Sequence, residues 1–309
     1  MIPIVLFSGF LGSGKTSLVN HLLFSMTDRR TGILVNDFGQ TVIDGGLIRK
    51  VHNRSGVDTY EIANGSVFCS CLTSNFIMGL KYFSLMKPEI LFIEASGMSD
   101  PSGMPAILKN HGLDDVFFTA KIITVVDPVK TVKLIHVLPV IRRQIESADL
   151  ILINKTDIAT GDQIRGTGDM IGGINPDAEI MRTVHCRMEA AGFAEEIIAM
   201  KRKNTAVQEK EESLNTPENR PGSVLLTGDP DTPDAAVRFF NERMGQIFRV
   251  KGYFHVRDAG YYITDGGASV SASPAEEIPE GKTEVSVICP GEYADRISED
   301  WKRFVSHGT

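Results

Sequence analysis

The sequence predicts an α/β protein with a doubly wound, mainly parallel sheet and a small C-terminal α+β domain. Three observations carry this expectation. Apolar runs rich in Val and Ile alternate with segments of helical spacing over the first two-thirds of the chain. A glycine-rich loop of fixed pattern joins the first run to the first helix. The alternation then lapses in a polar stretch and resumes with a different rhythm. Strands buried on both faces of a parallel sheet read as continuous apolar runs, and strands alternating with helices are the mark of a doubly wound sheet.

The expected strands of the first domain are Ile4–Phe7, Gly32–Asn36, Glu89–Glu94, Lys121–Asp127, Asp149–Asn154 and Glu179–Thr183. Helices are expected near 15–26, 73–86, 101–110, 130–147, 160–173 and 187–203. Residues 204–222 mix charges and end in Asn215-Thr216-Pro217-Glu218-Asn219-Arg220-Pro221-Gly222, a solvated linker. The boundaries read as 1–203, 204–222 and 223–309. The last part opens with a strand at Ser223–Thr227 and a helix from Pro233 to Met244. Short strands follow at Ile247–Val256, Gly260–Thr264, Ser269–Ser273 and Thr283–Ile288, then a helix over Tyr293–Val305 with Trp301 as a packing anchor.

Composition narrows the class. A net charge of −7 gives no basic surface for nucleic acid, and no apolar stretch is long enough for a spanning helix. Four cysteines in 309 residues do not form a disulfide framework, and the expected location is the cytoplasm.

Residues Gly9-Phe10-Leu11-Gly12-Ser13-Gly14-Lys15-Thr16 complete the pattern G-x-x-x-x-G-K-[ST], with a strand before and helical spacing from Ser17 after. That context is the one the phosphate-binding loop requires. Gly9, Gly12, Ser13 and Gly14 supply backbone N–H groups, and the helix N-terminus adds its dipole. Lys15 places a cation on the β and γ phosphates, and the Thr16 hydroxyl is set to ligate Mg²⁺. Asn154-Lys155-Thr156-Asp157 closes the strand at 149–154. Asp157 can accept two hydrogen bonds from guanine that adenine does not offer, while the Lys155 stem packs along the base. The expected ligand is therefore GTP with Mg²⁺. Glu94, ahead of Ala95-Ser96-Gly97, and Asp37 end strands on the same rim. Lys15, Asp37 and Glu94 are the catalytic candidates, and Gly97 would let backbone approach the γ-phosphate.

Cys69 and Cys71, one residue apart, can face one metal favoured by soft thiolates, such as Zn²⁺, Cu(I) or a related ion, from a tight turn. Two thiolates leave the site open, so Asp37, His111, His185 or a second copy of the chain would complete it. Cys186 and Cys289 read as small buried hydrophobes.

Together these elements resemble the CobW-type GTPases, relatives of the urease and hydrogenase nickel-insertion GTPases. The matching segments are Gly9–Thr16, Asn36–Gly39, Glu61–Cys71, Glu94–Pro101 and Asn154–Asp157, with Arg249-Val250-Lys251-Gly252 in the last domain. The resemblance implies a P-loop NTPase fold and a slow GTPase serving as metallochaperone or cofactor-maturation factor. Its client would be a metalloprotein or a corrinoid-dependent system, with no role at nucleic acid or membrane. Three departures stand out. The family's C-x-C-C reads Cys69-Ser70-Cys71-Leu72, Asp37 replaces Glu, and no His-rich loop is present. They favour transient transfer or a corrinoid-related role over tight zinc buffering. The competing expectations are a GTP-gated docking switch with structural cysteines and, less favoured because of Asn154–Asp157, a metabolic kinase.

Overall fold

The computed structural model describes residues 1–26, 29–36, 57–62, 73–201, 222–265, 269–275 and 283–307. These fall into two compact units, one within the first 201 residues and one from Gly222 onward.

The first unit is a seven-stranded sheet: β1 (Ile2–Ser8), β2 (Thr31–Asn36), β3 (Val57–Ile62), β4 (Ile90–Glu94), β5 (Phe117–Val126), β6 (Leu150–Ile153) and β7 (Glu179–Arg182). The order is β3-β2-β4-β1-β5-β6-β7 and every pairing is parallel, as the continuous apolar runs predicted. Phe7 pairs with Glu94, Val35 also with Glu94, and Ser8 with Thr124, so the carboxyl ends of four strands lie level.

Among the described residues of this unit there are seven α-helices: α1 (Lys15–Ser25), α2 (Thr73–Met86), α3 (Met104–Asn110), α4 (Thr131–Leu134), α5 (Pro139–Glu146), α6 (Gly161–Ile174) and α7 (Phe193–Ala199). Alternation along β1 separates two cores. Val5 and Phe7 pack with Leu18, Val19 and Leu22 of α1 and Ile197 of α7. Ile4 and Leu6 pack with Phe76, Leu80 and Phe83 of α2 and Leu108 of α3. Helices thus cover both faces, which is what a doubly wound sheet demands.

Three local readings change. The helix expected over 130–147 is two, α4 and α5, because Pro139 has no N–H to continue a helix and instead opens a new one. The helix expected from 187 begins at Phe193, after left-handed backbone at His185 and Cys186 (φ 52° and 55°) and a left-handed cap at Gly192. The edge strand β3, Val-Asp-Thr-Tyr-Glu-Ile, was not anticipated; its polar alternation differs from the buried runs.

The second unit is an antiparallel sheet of β8 (Gly222–Leu226), β9 (Arg249–Val256), β10 (Ala259–Asp265), β11 (Val270–Pro274) and β12 (Glu284–Cys289), in the order β11-β10-β9-β12-β8. With α8 (Pro233–Asn241) and α9 (Ala294–His307) it encloses a core of Val250, Phe254, Val285, Phe240 and Trp301. Trp301 stacks on Phe240 with centroids 5.3 Å apart and donates its indole N–H to Thr227 O at 2.9 Å.

Candidate nucleotide-binding site

The loop after β1 turns back on itself through positive φ at Gly9 (130°), Gly12 (72°) and Gly14 (120°). Space as well as conformation fixes two of these. A Cβ at Gly9 would lie 2.2 Å from Val125 O, and one at Gly14 would lie 2.5 Å from Asn154 Nδ2 and 2.7 Å from Cys186 Sγ. The loop ends in α1, which has no side-chain cap and no acidic residue in its first turn. Its first N–H groups are therefore offered to a ligand rather than to the protein's own carboxylates.

Lys15 is only 7% exposed and donates from Nζ to Gly9 O at 2.8 Å and Phe10 O at 3.3 Å. Those carbonyls hold the ammonium over the loop, where a polyphosphate would meet it. Thr16 Oγ1 donates to Glu94 Oε1 at 2.6 Å. A hydroxyl and a carboxylate touching at the strand ends form the oxygen-donor chemistry that a small hard cation takes. Ser17 follows on the exposed side of α1. Gly97 lies against the loop, for a Cβ there would come within 2.7 Å of Leu11 N.

Asn154 joins the segment after β6 to the phosphate loop. Its Nδ2 donates to Ser13 O at 2.8 Å, and its Oδ1 accepts the Cys186 N–H at 2.8 Å and the Thr183 hydroxyl at 3.3 Å. The Cys186 thiol donates to Gly14 O at 3.3 Å. Burial pushes this thiol up to about 12, against weaker opposing pulls from Lys155 and Lys15. Cys186 is buried as expected, but it is also a hydrogen-bonded strut, which its lack of local motif concealed. Lys155 adopts left-handed backbone (φ 60°) and its Nζ donates to Asp127 Oδ2 at 2.9 Å. Asp127, 2% exposed, uses Oδ1 to accept the N–H groups of Val129 and Lys130. Sequence reading had missed Asp127; its place at the end of β5, on the rim shared with Asn154, was the available signal. Asp157 stands exposed at the end of the segment.

The metal candidates divide. Asp37, Cys69 and Cys71 lie outside the described residues. His185 is exposed on the loop after β7, on the same rim as Asn154. His111 follows α3, and the chain then enters β5, whose Phe117 pairs with Ile2 at the start of β1. That is the amino-terminal rim, about 20 Å from the phosphate loop by the rise of β1. A helix after a parallel strand carries the chain back to that rim. Among the described residues, no group of three His, Cys, Asp or Glu is placed to hold a metal. No described helix is long and apolar enough to cross a membrane.

The sequence signature described as "CobW/HypB/UreG, nucleotide-binding domain" matches residues 3–182. The chain is 24% identical over 218 residues to zinc-regulated GTPase metalloprotein activator 1 of Dictyostelium discoideum, covering 60% of this chain and 46% of the relative. It is 26% identical over 196 residues to zinc chaperone CobW of Sinorhizobium sp, covering 55% of each. It is 27% identical over 195 residues to zinc chaperone YjiA of Escherichia coli K12, covering 60% of this chain and 58% of the relative. The chain thus spans about half the length of the curated relatives it matches. With the phosphate loop, the Asn154 bridge and the match across residues 3–182 in agreement, the chain belongs to the CobW/HypB/UreG family through its nucleotide-binding domain.

Proposed function

We propose that the protein binds and slowly hydrolyses GTP and couples its nucleotide state to a transition metal held at Cys69 and Cys71, as a metallochaperone or a metal- or cobalamin-cofactor maturation factor. The observation that carries this reading is the Asn154 bridge, with Nδ2 on Ser13 O and Oδ1 on the Cys186 N–H. It ties a guanine-reading segment to the phosphate loop. Asp157 would then accept from the base, and Lys155, steadied by Asp127, would lie along it.

Lys15, the loop amides and the α1 N-terminus bind the β and γ phosphates. Thr16 and Glu94 have the donor chemistry to hold Mg²⁺, which when bound neutralises charge on the phosphate oxygens. Glu94 already accepts from Thr16, so its role is to orient that hydroxyl; Asp37 is the candidate that positions the attacking water. Catalysis is positioning and charge stabilisation, and turnover is slow. Hydrolysis would release the segment carrying the cysteines, an order–disorder switch that hands the metal to a client metalloprotein or corrinoid-dependent system. Asp37 or His185, or a second copy of the chain, completes the metal site. The cytoplasm is the proposed location.

The test is binding and phosphate release with GTP and ATP, with and without Zn²⁺ or Co²⁺. GTP should bind and be hydrolysed in preference to ATP, and Cys69→Ser/Cys71→Ser should lose metal affinity in the GTP state. Equal use of GTP and ATP would overturn the nucleotide reading. Unchanged metal affinity in the double variant would leave a GTP-gated docking switch with structural cysteines.

A further inference from the structure

The segment that follows β4 is buried without interruption. Ala95, Ser96, Met98 and Ser99 are at most 3% exposed. A loop so placed must find internal partners for its carbonyls, since water cannot reach them. Two of them, Gly97 O and Ser99 O, accept from one side chain, Gln144 Nε2 of α5, at 3.1 and 3.0 Å. Gln144 is itself 1% exposed, and its backbone carbonyl accepts the Thr124 hydroxyl of β5 at 2.8 Å. The amide therefore has its orientation set and both of its N–H groups spent on this loop.

The opposite side of the same loop touches the phosphate loop. Gly97 is so close that a Cβ would come within 2.7 Å of Leu11 N. Three residues upstream, Glu94 accepts from Thr16. Gly97 is thus one residue thick between the phosphate loop and α5, its α-carbon facing Leu11 and its carbonyl held by Gln144. Anything that displaces Gly97 from the Leu11 side must stretch or release the Gln144 hydrogen bond on the other.

We infer that Gln144 is a positioning residue that sets the 96–99 loop for the terminal phosphate and makes α5 the element that reads whether that phosphate is present. This rests on the chain being a GTP-binding protein as proposed above. A diphosphate lacks the group that the loop meets, so Gln144 should matter to the triphosphate and little to the diphosphate. A support that only satisfies buried carbonyls would affect both nucleotides alike.

Gln144→Met in the full chain keeps length and volume and removes the two N–H donors. Affinities for GDP and for a non-hydrolysable GTP analogue, both with Mg²⁺, give the reading. The expected result is about a tenfold loss for the analogue, the scale of one hydrogen bond, with GDP affinity held within about twofold. Equal losses, or no loss, overturn the inference. A folding failure of the variant is covered by wild-type hydrogen exchange, in which amides of 97–99 and 140–147 should gain protection together when the analogue replaces GDP. Identical exchange of 140–147 in the two states would also overturn it. Wild-type protein without affinity for either guanine nucleotide would overturn the parent reading and this inference with it; discrimination by wild type that persists unchanged in Gln144→Met overturns this inference alone.

Discussion

The two sheets draw on the same apolar residue types and end with different properties. In the first, every strand runs the same way, so carboxyl ends and helix N-termini gather at one rim. Buried polar groups crowd there: Ser13, Lys15, Glu94, Ser96, Ser99, Asp127 and Asn154 are each no more than 7% exposed. In the second, neighbouring strands alternate in direction and ends are shared between two rims. Its centre is aromatic, with Phe239, Phe240, Phe254 and Trp301 in contact with aliphatic strand residues. Burying polar groups is costly unless each is hydrogen-bonded. The first rim meets that condition at most of these groups with loops, caps and long-range bridges, Ser13 Oγ being buried without a hydrogen-bond partner, and so keeps a charged, ordered surface at one place. The second sheet is organised mainly around packing, with a few buried polar contacts such as the Val250 N–H on Asp265.

Four substitutions test this contrast. Phe240→Ala should cost the C-terminal unit about 3–5 kcal/mol, the usual range for emptying a buried aromatic site. Trp301 is the only Trp in the chain and stacks on Phe240, so its fluorescence reports that unit directly in a denaturant titration. GTP affinity should not change, and a large change would break the comparison. Lys15→Ala should lower the single-turnover rate of GTP hydrolysis by on the order of 10²–10³, the scale of removing one charge-stabilising donor. An unchanged rate would remove Lys15 from the phosphate chemistry. Asp157→Asn should reduce the preference for GTP over ATP by about 100-fold, since two charge-assisted hydrogen bonds weaken together. Competition binding measures it.

The smallest expected effect is at Cys186. Cys186→Ala removes the thiol's bond to Gly14 O and should weaken GTP and GDP equally by about tenfold or less, seen as a higher KM with kcat held. It also carries a pH signature. Burial raises the thiol from an ordinary 9.0 to about 12. Between those values the folded chain keeps a proton that the unfolded chain has lost, so stability falls as pH rises through that window and is unaffected below it. Cys186→Ala should flatten the decline between pH 9 and 12 relative to wild type. Superimposable pH–stability curves would show that the Sγ environment is not as closed as its burial implies.

What was legible in the chain follows the range of the interactions. The phosphate loop could be read because its glycines, Lys15 and Thr16 act within eight consecutive residues. The parallel strands could be read because burial on both faces leaves a continuous apolar run. Asn154 was found by its motif, but its bridge to Ser13 spans 141 positions and no local pattern announces it. Cys186 and Gln144 were passed over for the same reason: their partners lie 172 and 47 or 45 residues away.

Residue order alone determined that a phosphate loop sits between the first strand and first helix, that the interior strands after it are buried and parallel, and that an Asn-Lys-x-Asp segment closes one of them downstream. These depend on local conformation and on the periodicity of apolar side chains. Only the folded chain decided which polar side chains meet across the rim: Asn154 and Cys186 on the phosphate loop, Asp127 on Lys155, and Gln144 behind Gly97. Such pairings arise when strands distant in sequence end side by side and every buried donor must find an acceptor.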